Sequence, residues 1–244
     1  MADNGMTGIR VRIRFCKGGD LRLLSHRDLL RLLERLFRRA GLELAMSQGF
    51  HPKPKMSFPS ALALGIVGQR EVMELELARD YEMDELLVLL NEQAPSGLVF
   101  TELTQLPQAR KAQLVKTEYA VEIPSSRREA IEAATGRFLD APEWLVERQS
   151  KKKKNRSRSR GAAEVKTIDL RAGVEKLWLD KDQLRMTLLE IREAGVRPRD
   201  VLEALEAVDV ERDGATLIRT DVILSVELPG AEDADAPVIA AQTE

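Results

Sequence analysis

A strict alternation close to the N-terminus is the feature that most constrains the fold. Apolar residues and arginines take turns in the run Ile9-Arg10-Val11-Arg12-Ile13-Arg14-Phe15. Because side chains two residues apart share one face of a strand, this run predicts a half-buried β-strand with an apolar face and an arginine face.

A helix is expected next. Ser25 and Asp28 fit the capping box S-x-x-D at a helix start, and Gly41 stands where a glycine commonly ends one. Between these signals an apolar stripe repeats at helical spacing, formed by Leu29, Leu32, Leu33, Leu36, Phe37 and Ala40. The chain therefore predicts a strand followed by an amphipathic helix that packs on it.

The remaining patterns favour an α+β fold. Hairpin strands at 56–64 and 71–78, a helix at 82–94 and a strand at 98–105 complete the order β-α-β-β-α-β of a ferredoxin-like unit. The order repeats with a strand around 119–123, a helix at 126–139, hairpin strands at 174–180 and 183–191, a helix beginning at Pro198 and a strand at 217–224. We therefore predict two tandem ferredoxin-like domains with antiparallel sheets, at residues 1–106 and 117–228.

Two segments lack the apolar residues that a packed core requires. Residues 151–160, inside an excursion at 140–172, contain seven basic residues in ten. Like charges repel one another, so we expect a disordered basic insertion at 150–164. The last residues, 230–244, are expected to form a disordered tail.

Charge is distributed unevenly along the chain. Residues 1–60 carry 12 basic and 5 acidic side chains, although the formal net charge of the whole chain is −2. The N-terminal part is therefore basic and the remainder is acidic. No window is long and apolar enough for a membrane span, and the N-terminus lacks an apolar signal region, so a cytoplasmic protein is expected. Because the chain has one cysteine and two histidines, we expect no metal site and no cofactor.

The predicted helix carries a first candidate binding surface. Its arginines fall on the side opposite the apolar stripe, at Arg27, Arg31, Arg35, Arg38 and Arg39. Few acidic residues balance them, so the row suits the phosphate backbone of a nucleic acid. The alternative is the solvated outer face of an ordinary amphipathic helix. For the arginine face of the first strand, the alternatives are an RNA platform or ion pairs with Glu74 and Glu76.

The segment 47–55 is a second candidate surface. It combines an aromatic ring, an imidazole, an amide and two lysines with stiff prolines, at Gln48, Phe50, His51, Lys53 and Lys55. Such a set suits contact with a phosphate or a flipped base, and the alternative is a proline-ordered crossover between helix and strand. To meet the helix start, about 24 Å away, this segment must fold back along the helix. We expect the arginine row to lie between the two motifs on one basic surface; burial of the row under the second domain is the alternative.

His26 is a candidate catalytic group. It stands at the first position of the predicted helix, where the helix dipole favours the neutral imidazole, and a neutral imidazole could act as a general base. The alternative is a histidine without a chemical role.

The N-terminal motifs closely resemble those of the bacterial radical SAM-linked proteins, which carry a domain of unknown function. The resemblance covers about sixty residues and includes Ser25, His26, Asp28, Ser47, Gln48, Gly49, Phe50, Pro52, Pro54 and Lys55. Such domains occur fused to, or encoded beside, a B12-type radical SAM protein. This chain lacks the Cys-x-x-x-Cys-x-x-Cys motif of that chemistry, so the resemblance implies the accessory half.

Two principal hypotheses follow from these patterns. The first is a non-catalytic RNA-binding accessory protein that presents tRNA or rRNA to a radical SAM partner for modification or processing. The second is a metal-independent endoribonuclease that uses His26, by analogy with tandem ferredoxin-like endoribonucleases. A protein–protein adaptor is a further possibility.

Overall fold

The computed structural model describes residues 8–107, 113–149, 165–191 and 195–225. These residues form two compact units, divided after Val115 and before Leu217, with the C-terminal segment joining the N-terminal unit. Each unit mixes helices with mostly antiparallel strands, which confirms the α+β class. The predicted basic insertion at 150–164 and the predicted tail at 230–244 lie outside the described residues. None of the helices in the described ranges combines the length and the hydropathy needed to cross a membrane.

Ten strands and six helices are described, with two short 3-10 turns at Gly19–Leu23 and Ser125–Arg127. In chain order they are β1 (Ile9–Lys17), α1 (His26–Arg39), β2 (Met56–Ser57), β3 (Val67–Leu77), α2 (Met83–Gln93), β4 (Leu98–Leu106), β5 (Leu114–Glu122), α3 (Arg128–Asp140), β6 (Leu145–Gln149), β7 (Val165–Asp169), α4 (Leu170–Gly173), β8 (Val174–Asp180), β9 (Gln183–Leu189), α5 (Pro198–Ala204), α6 (Asp209–Arg212) and β10 (Ile218–Leu224).

The sheet of the first unit is centred on β1 and β3. β1 pairs antiparallel with β3 on one side and with β4 on the other, so that Ile13 lies opposite both Met73 and Leu103. The other edge of β3 is shared by two strands. β2 pairs with it antiparallel at Leu75, and β10 pairs with it parallel at Val67.

The predicted strand at 56–64 is wrong beyond its first two residues. β2 ends at Ser57, and Pro59, which has no backbone N–H to donate to a ladder, follows closely. The carbonyl oxygens of Ser60 and Ala61 accept hydrogen bonds from the Arg219 guanidinium instead of from a neighbouring strand. β10 pairs with the first residues of β3, at Val67 and Gly68.

The predicted amphipathic helix is confirmed. The Ser25 side chain accepts a hydrogen bond from the Asp28 backbone N–H, and Gly41 follows the helix with a φ of 68°. The core side of α1 buries Leu29, Leu33, Leu36 and Phe37 against the apolar face of β1. The arginines are therefore turned away from the core.

Ion pairs engage the arginine face of β1. Arg10 and Arg12 both pair with the Glu74 carboxylate of β3, at 2.5 and 3.0 Å. Arg14 pairs with Asp221 of β10 at 3.1 Å and donates to the Val222 carbonyl. The ion-pair alternative is thus confirmed for Glu74, and Arg14 has a partner that the sequence did not indicate. Because Arg12 and Arg14 are buried, this face is not an open RNA platform.

A second buried ion pair ties β10 to β3. Arg219 and Glu71 are each about 2% exposed, and the Arg219 Nε donates to Glu71 Oε1 at 2.7 Å. Another guanidinium nitrogen donates to the second carboxylate oxygen, and a third bond reaches the Ser60 hydroxyl at 2.9 Å. A Cβ at Gly68 would collide with the Glu71 side chain, so glycine leaves the room that this carboxylate needs.

The second unit contains the predicted hairpin. β9 pairs antiparallel with β8 and with β5, and Lys181 takes a φ of 53° in the turn between β8 and β9. The ribbon of β6 and β7 was not predicted, because its strands fall within the segment 140–172 that was expected to be an excursion. β10, expected to close the second domain, pairs with β3 in the first unit, and the tandem ferredoxin-like arrangement is not confirmed.

We predict that Glu71→Gln lowers the free energy of unfolding by about 3 kcal/mol, because the substitution removes the carboxylate that is paired with the buried Arg219. Urea denaturation followed by circular dichroism measures the change. The matched control is Glu76→Gln on the same strand. Its pair with Lys55 is half exposed, so a change below about 1 kcal/mol is expected. Equal effects of the two substitutions would contradict the assignment.

Candidate nucleic-acid interface

The arginine row of α1 is exposed over its whole length. All five side chains are exposed, at Arg27, Arg31, Arg35, Arg38 and Arg39. Two of the arginines make hydrogen bonds on the surface: Arg31 to the Asp28 carboxylate at 3.2 Å, and Arg39 to the Gln93 carbonyl at 2.7 Å.

Residues 45–55 form a braced hairpin, which we call the proline hairpin. The Lys55 N–H donates to the Ala45 carbonyl at 2.9 Å, and the Ser47 N–H donates to the Lys53 carbonyl at 2.7 Å. The Ser47 hydroxyl accepts from the Lys53 N–H at 3.0 Å. The base is fixed to β3, because the Ala45 N–H and the Lys55 carbonyl both bond to the backbone of Glu76. The sequence indicated an ordered loop but not this pairing.

The tip of the proline hairpin, residues 48–52, carries exposed side chains. Gly49 takes a φ of 130°, which side-chain-bearing residues rarely adopt, and the hairpin reverses direction there. Phe50 follows and is fully exposed. Gln48 and His51 are exposed on either side of it. The tip therefore offers a flat apolar ring between two polar groups.

The proline hairpin folds back along α1 and forms a cleft with it. The segment 47–55 needs this arrangement to approach the start of the helix. The cleft has a volume of about 670 Å³. Its basic lining comes from Arg27, Arg31 and Arg38 of the helix and from Lys53 of the hairpin. Among the described residues that line the cleft, Glu34 is the acidic one. Four cations and one carboxylate leave the cleft with an excess of positive charge.

Apolar side chains supply the rest of the cleft. They come from the helix, from the segment that follows it and from the hairpin: Leu30, Leu42, Leu44, Met46, Pro52 and Pro54. Met46 is 47% exposed, so part of this apolar surface faces solvent. Pro52 and Pro54 belong to the segment 47–55 that was expected to form a surface, whereas the three leucines and Met46 were not predicted as part of a site. The alternation of Leu42, Leu44 and Met46 after the helix is the signal that could have indicated them.

Besides the three residues at the hairpin tip, three more of the predicted binding residues lie outside the cleft lining. Lys55 pairs with Glu76 of β3 at 2.7 Å, so its ammonium group already has a counter-charge. Arg35 and Arg39 lie on the exposed row but outside the lining, and Arg39 reaches the C-terminal end of α2. The predicted set is thus divided between the cleft, the hairpin tip and the outer face of α1.

His26 begins α1, next to the cleft-lining Arg27. Its half-buried ring meets the Phe58 ring edge-on at 5.0 Å between centroids. Burial and then the charge of Lys17 lower the pKa of His26 below its usual value. Lys17 is itself buried and donates to the Leu24 carbonyl at 3.0 Å. The neutral imidazole is therefore the favoured form.

Asp28 partly offsets the arginines at the start of the helix. A hydrogen bond from the Ser25 hydroxyl lowers the pKa of Asp28, and Arg31 and Arg27 act in the same direction. The carboxylate is therefore ionised at neutral pH.

We predict that His26 titrates below the usual histidine value of about 6.5. Because the folded state binds the proton less readily than the unfolded state, His26 contributes to a loss of stability as the pH falls below that value. A proton NMR titration of the imidazole signals measures the pKa, and His51→Asn leaves a single histidine signal to follow. A titration of His26 above 6.5 would contradict the described environment.

Comparison with solved structures finds a crystal structure of a Cbf5-Nop10-Gar1 complex, at 12% sequence identity and a TM-score of 0.38. The match covers 87% of this chain and 48% of that chain, so this chain spans about half the length of the solved chain. At this TM-score the likeness establishes nothing about function. Comparison with curated proteins finds no match.

A family profile gives a clearer result. Residues 10–198 match a family described as an uncharacterized protein conserved in bacteria, DUF2344. The matched region contains almost all of β1, the whole of α1, the proline hairpin and the cleft, and it continues to the start of α5. Since the match covers well over half of the sequence, this chain belongs to the DUF2344 family of conserved bacterial proteins.

Proposed function

We propose that this protein is a non-catalytic accessory protein that binds RNA through the cleft between α1 and the proline hairpin. One observation carries the proposal. The hairpin returns along the helix, so that Lys53 lines the same cleft as Arg27, Arg31 and Arg38. Positive charge from two separate elements thereby converges on one exposed surface, which is the pattern expected where a polyanion binds.

The contrast with the arginines of β1 supports this proposal. Arg10, Arg12 and Arg14 are paired with carboxylates of β3 and β10 and are largely buried. The arginines of α1 are exposed, and the one ion pair described on this row joins Arg31 to Asp28. Charges kept in solvent remain available to a ligand.

The length of the basic row favours a polymer over a small anion. Arg27 and Arg38 are eleven residues apart on α1, which corresponds to about 16 Å along a helix axis. A single phosphate group contacts one part of such a row, whereas a nucleic-acid strand presents phosphates along all of it. Backbone contacts of this kind position an RNA without reading its sequence.

The proposal also includes a protein partner. The resemblance of the N-terminal motifs supports a B12-type radical SAM protein as the enzyme that modifies or processes the bound tRNA or rRNA. Purification of the tagged chain from its native cells tests this pairing. The supporting result is a co-purifying protein with a Cys-x-x-x-Cys-x-x-Cys motif whose recovery depends on the tagged chain.

We predict that the double substitution Arg27→Gln with Arg38→Gln weakens binding of a single-stranded RNA oligonucleotide about tenfold. The dependence of log affinity on log salt should flatten by about 0.7 for each phosphate that the protein no longer neutralises. Fluorescence anisotropy across a salt series measures both quantities.

The matched control is Arg137→Gln with Arg212→Gln. These two exposed arginines of the second unit give the same change in net charge and do not line the cleft. Unchanged affinity in the cleft variant, or equal weakening in both variants, would count against the cleft as the RNA site. Loss of a protein partner with intact RNA binding would favour the adaptor alternative.

A second candidate function rests on His26. The lowered pKa of this residue and its place beside the cleft-lining Arg27 favour a neutral imidazole near the proposed RNA path. A neutral imidazole can accept a proton from a ribose hydroxyl, which is the first requirement of metal-independent RNA cleavage. This candidate is a metal-independent endoribonuclease.

We predict that purified protein leaves total RNA intact in the presence of EDTA, as expected for an accessory protein. Gel electrophoresis after a long incubation detects any cleavage. If cleavage occurs and disappears in His26→Ala, the endoribonuclease replaces the accessory proposal. The variant Arg137→Gln with Arg212→Gln is the control, because neither residue lines the cleft.

A further inference from the structure

The lining of the cleft is more apolar than phosphate contacts require. Leu30, Leu44 and Met46 lie in the same cleft as the four cations, and Met46 remains 47% exposed. Contacts to the phosphates of a duplex backbone are made by charged and polar groups, and apolar side chains add little to them. The faces of nucleobases are the apolar part of RNA that such groups can contact.

The volume of the cleft suits a ligand of this kind. Sites for small molecules commonly have volumes of about 300–1,000 Å³, and the cleft has about 670 Å³. It is therefore large enough to receive a nucleoside.

Phe50 offers a second apolar contact outside the cleft. Its side chain is fully exposed, although phenylalanine is usually buried. It lies two residues before the cleft-lining Pro52, on a hairpin closed by the bonds between Ser47 and Lys53. The closed hairpin reduces the conformational entropy that binding would cost, which is what a stacking platform needs.

We propose that the cleft and the hairpin tip bind unpaired nucleotides of RNA and discriminate against fully paired duplex. This inference rests on the proposed function and names its substrate class. One base enters the cleft against its apolar lining, the adjacent phosphates meet Arg27, Arg31 and Arg38, and a neighbouring base stacks on Phe50. In a perfect A-form duplex the base faces are stacked on one another and are closed to both contacts.

The first test compares three RNA probes of related sequence: a single strand, a perfect duplex, and a duplex with one bulged nucleotide. Fluorescence anisotropy with the full chain measures the affinity for each probe. We expect the affinity for the single strand and for the bulged duplex to be higher than that for the perfect duplex by about tenfold or more. Equal affinity for all three probes would overturn the inference while leaving the proposed RNA binding in place.

The second test uses Phe50. Phe50→Ala should weaken binding of the single strand about tenfold, and Phe50→Leu should be similarly weak, because leucine is apolar but has no ring face. Phe50→Trp should keep the affinity, and its added fluorescence should be quenched when a base stacks on it. None of these variants should change the salt dependence, because Phe50 carries no charge.

Leu145→Ala is the matched control, because Leu145 is an exposed apolar residue of the second unit, where no change of affinity is expected. One contrary outcome is that Phe50→Ala binds RNA as tightly as the unaltered chain while the Arg27→Gln and Arg38→Gln variant binds more weakly. Phe50 would then make another contact, such as one to a protein. The inference would fail, and the proposed RNA binding would stand. If the unaltered chain binds none of the three probes, the proposed function fails with it.

Discussion

The backbone pairing between β3 and the proline hairpin is the interaction on which the candidate site depends. Glu76 donates its N–H to the Lys55 carbonyl and accepts from the Ala45 N–H, so one residue of β3 holds both arms of the hairpin. β3 is held in turn by β1 on one edge and by the Arg219–Glu71 pair at the junction with β10. The position of Lys53 relative to α1 therefore follows from the sheet.

The first unit uses its arginines in two different ways. Where arginines face neighbouring strands, as Arg12 and Arg14 do, carboxylates of β3 and β10 neutralise them, since a buried charge without a partner is very costly. Where they lie on the outer face of α1, water solvates them and no counter-charge is needed. The N-terminal excess of basic residues thus divides into a structural part in the sheet and an exposed part along the helix. Only the exposed part can meet a polyanion.

Local patterns were reliable for elements whose ends are fixed by nearby residues. Ser25 and Gly41 mark the two ends of α1 through contacts within a few positions, and Lys181 lies in the short turn between the paired strands β8 and β9. The strand expected at 56–64 ends at Ser57, because Pro59 has no N–H for a ladder and Ser60 bonds to Arg219, more than 150 residues away. The strand at 217–224 was expected in the second domain because its apolar residues predict a strand but carry no information on which sheet it joins.

The sequence by itself determined that α1 has one apolar and one arginine face, that the segment after it is stiffened by prolines, and that this region is basic. These properties follow from spacing and from the conformational limits of single residues. The tertiary structure alone decided that Arg27 and Arg38 share a cleft with Lys53 and that Arg14 has a counter-charge in Asp221. Both outcomes depend on the pairing of distant segments with β3. The packing of the whole unit decides which segments pair, and the local sequence of each segment does not reveal its partner.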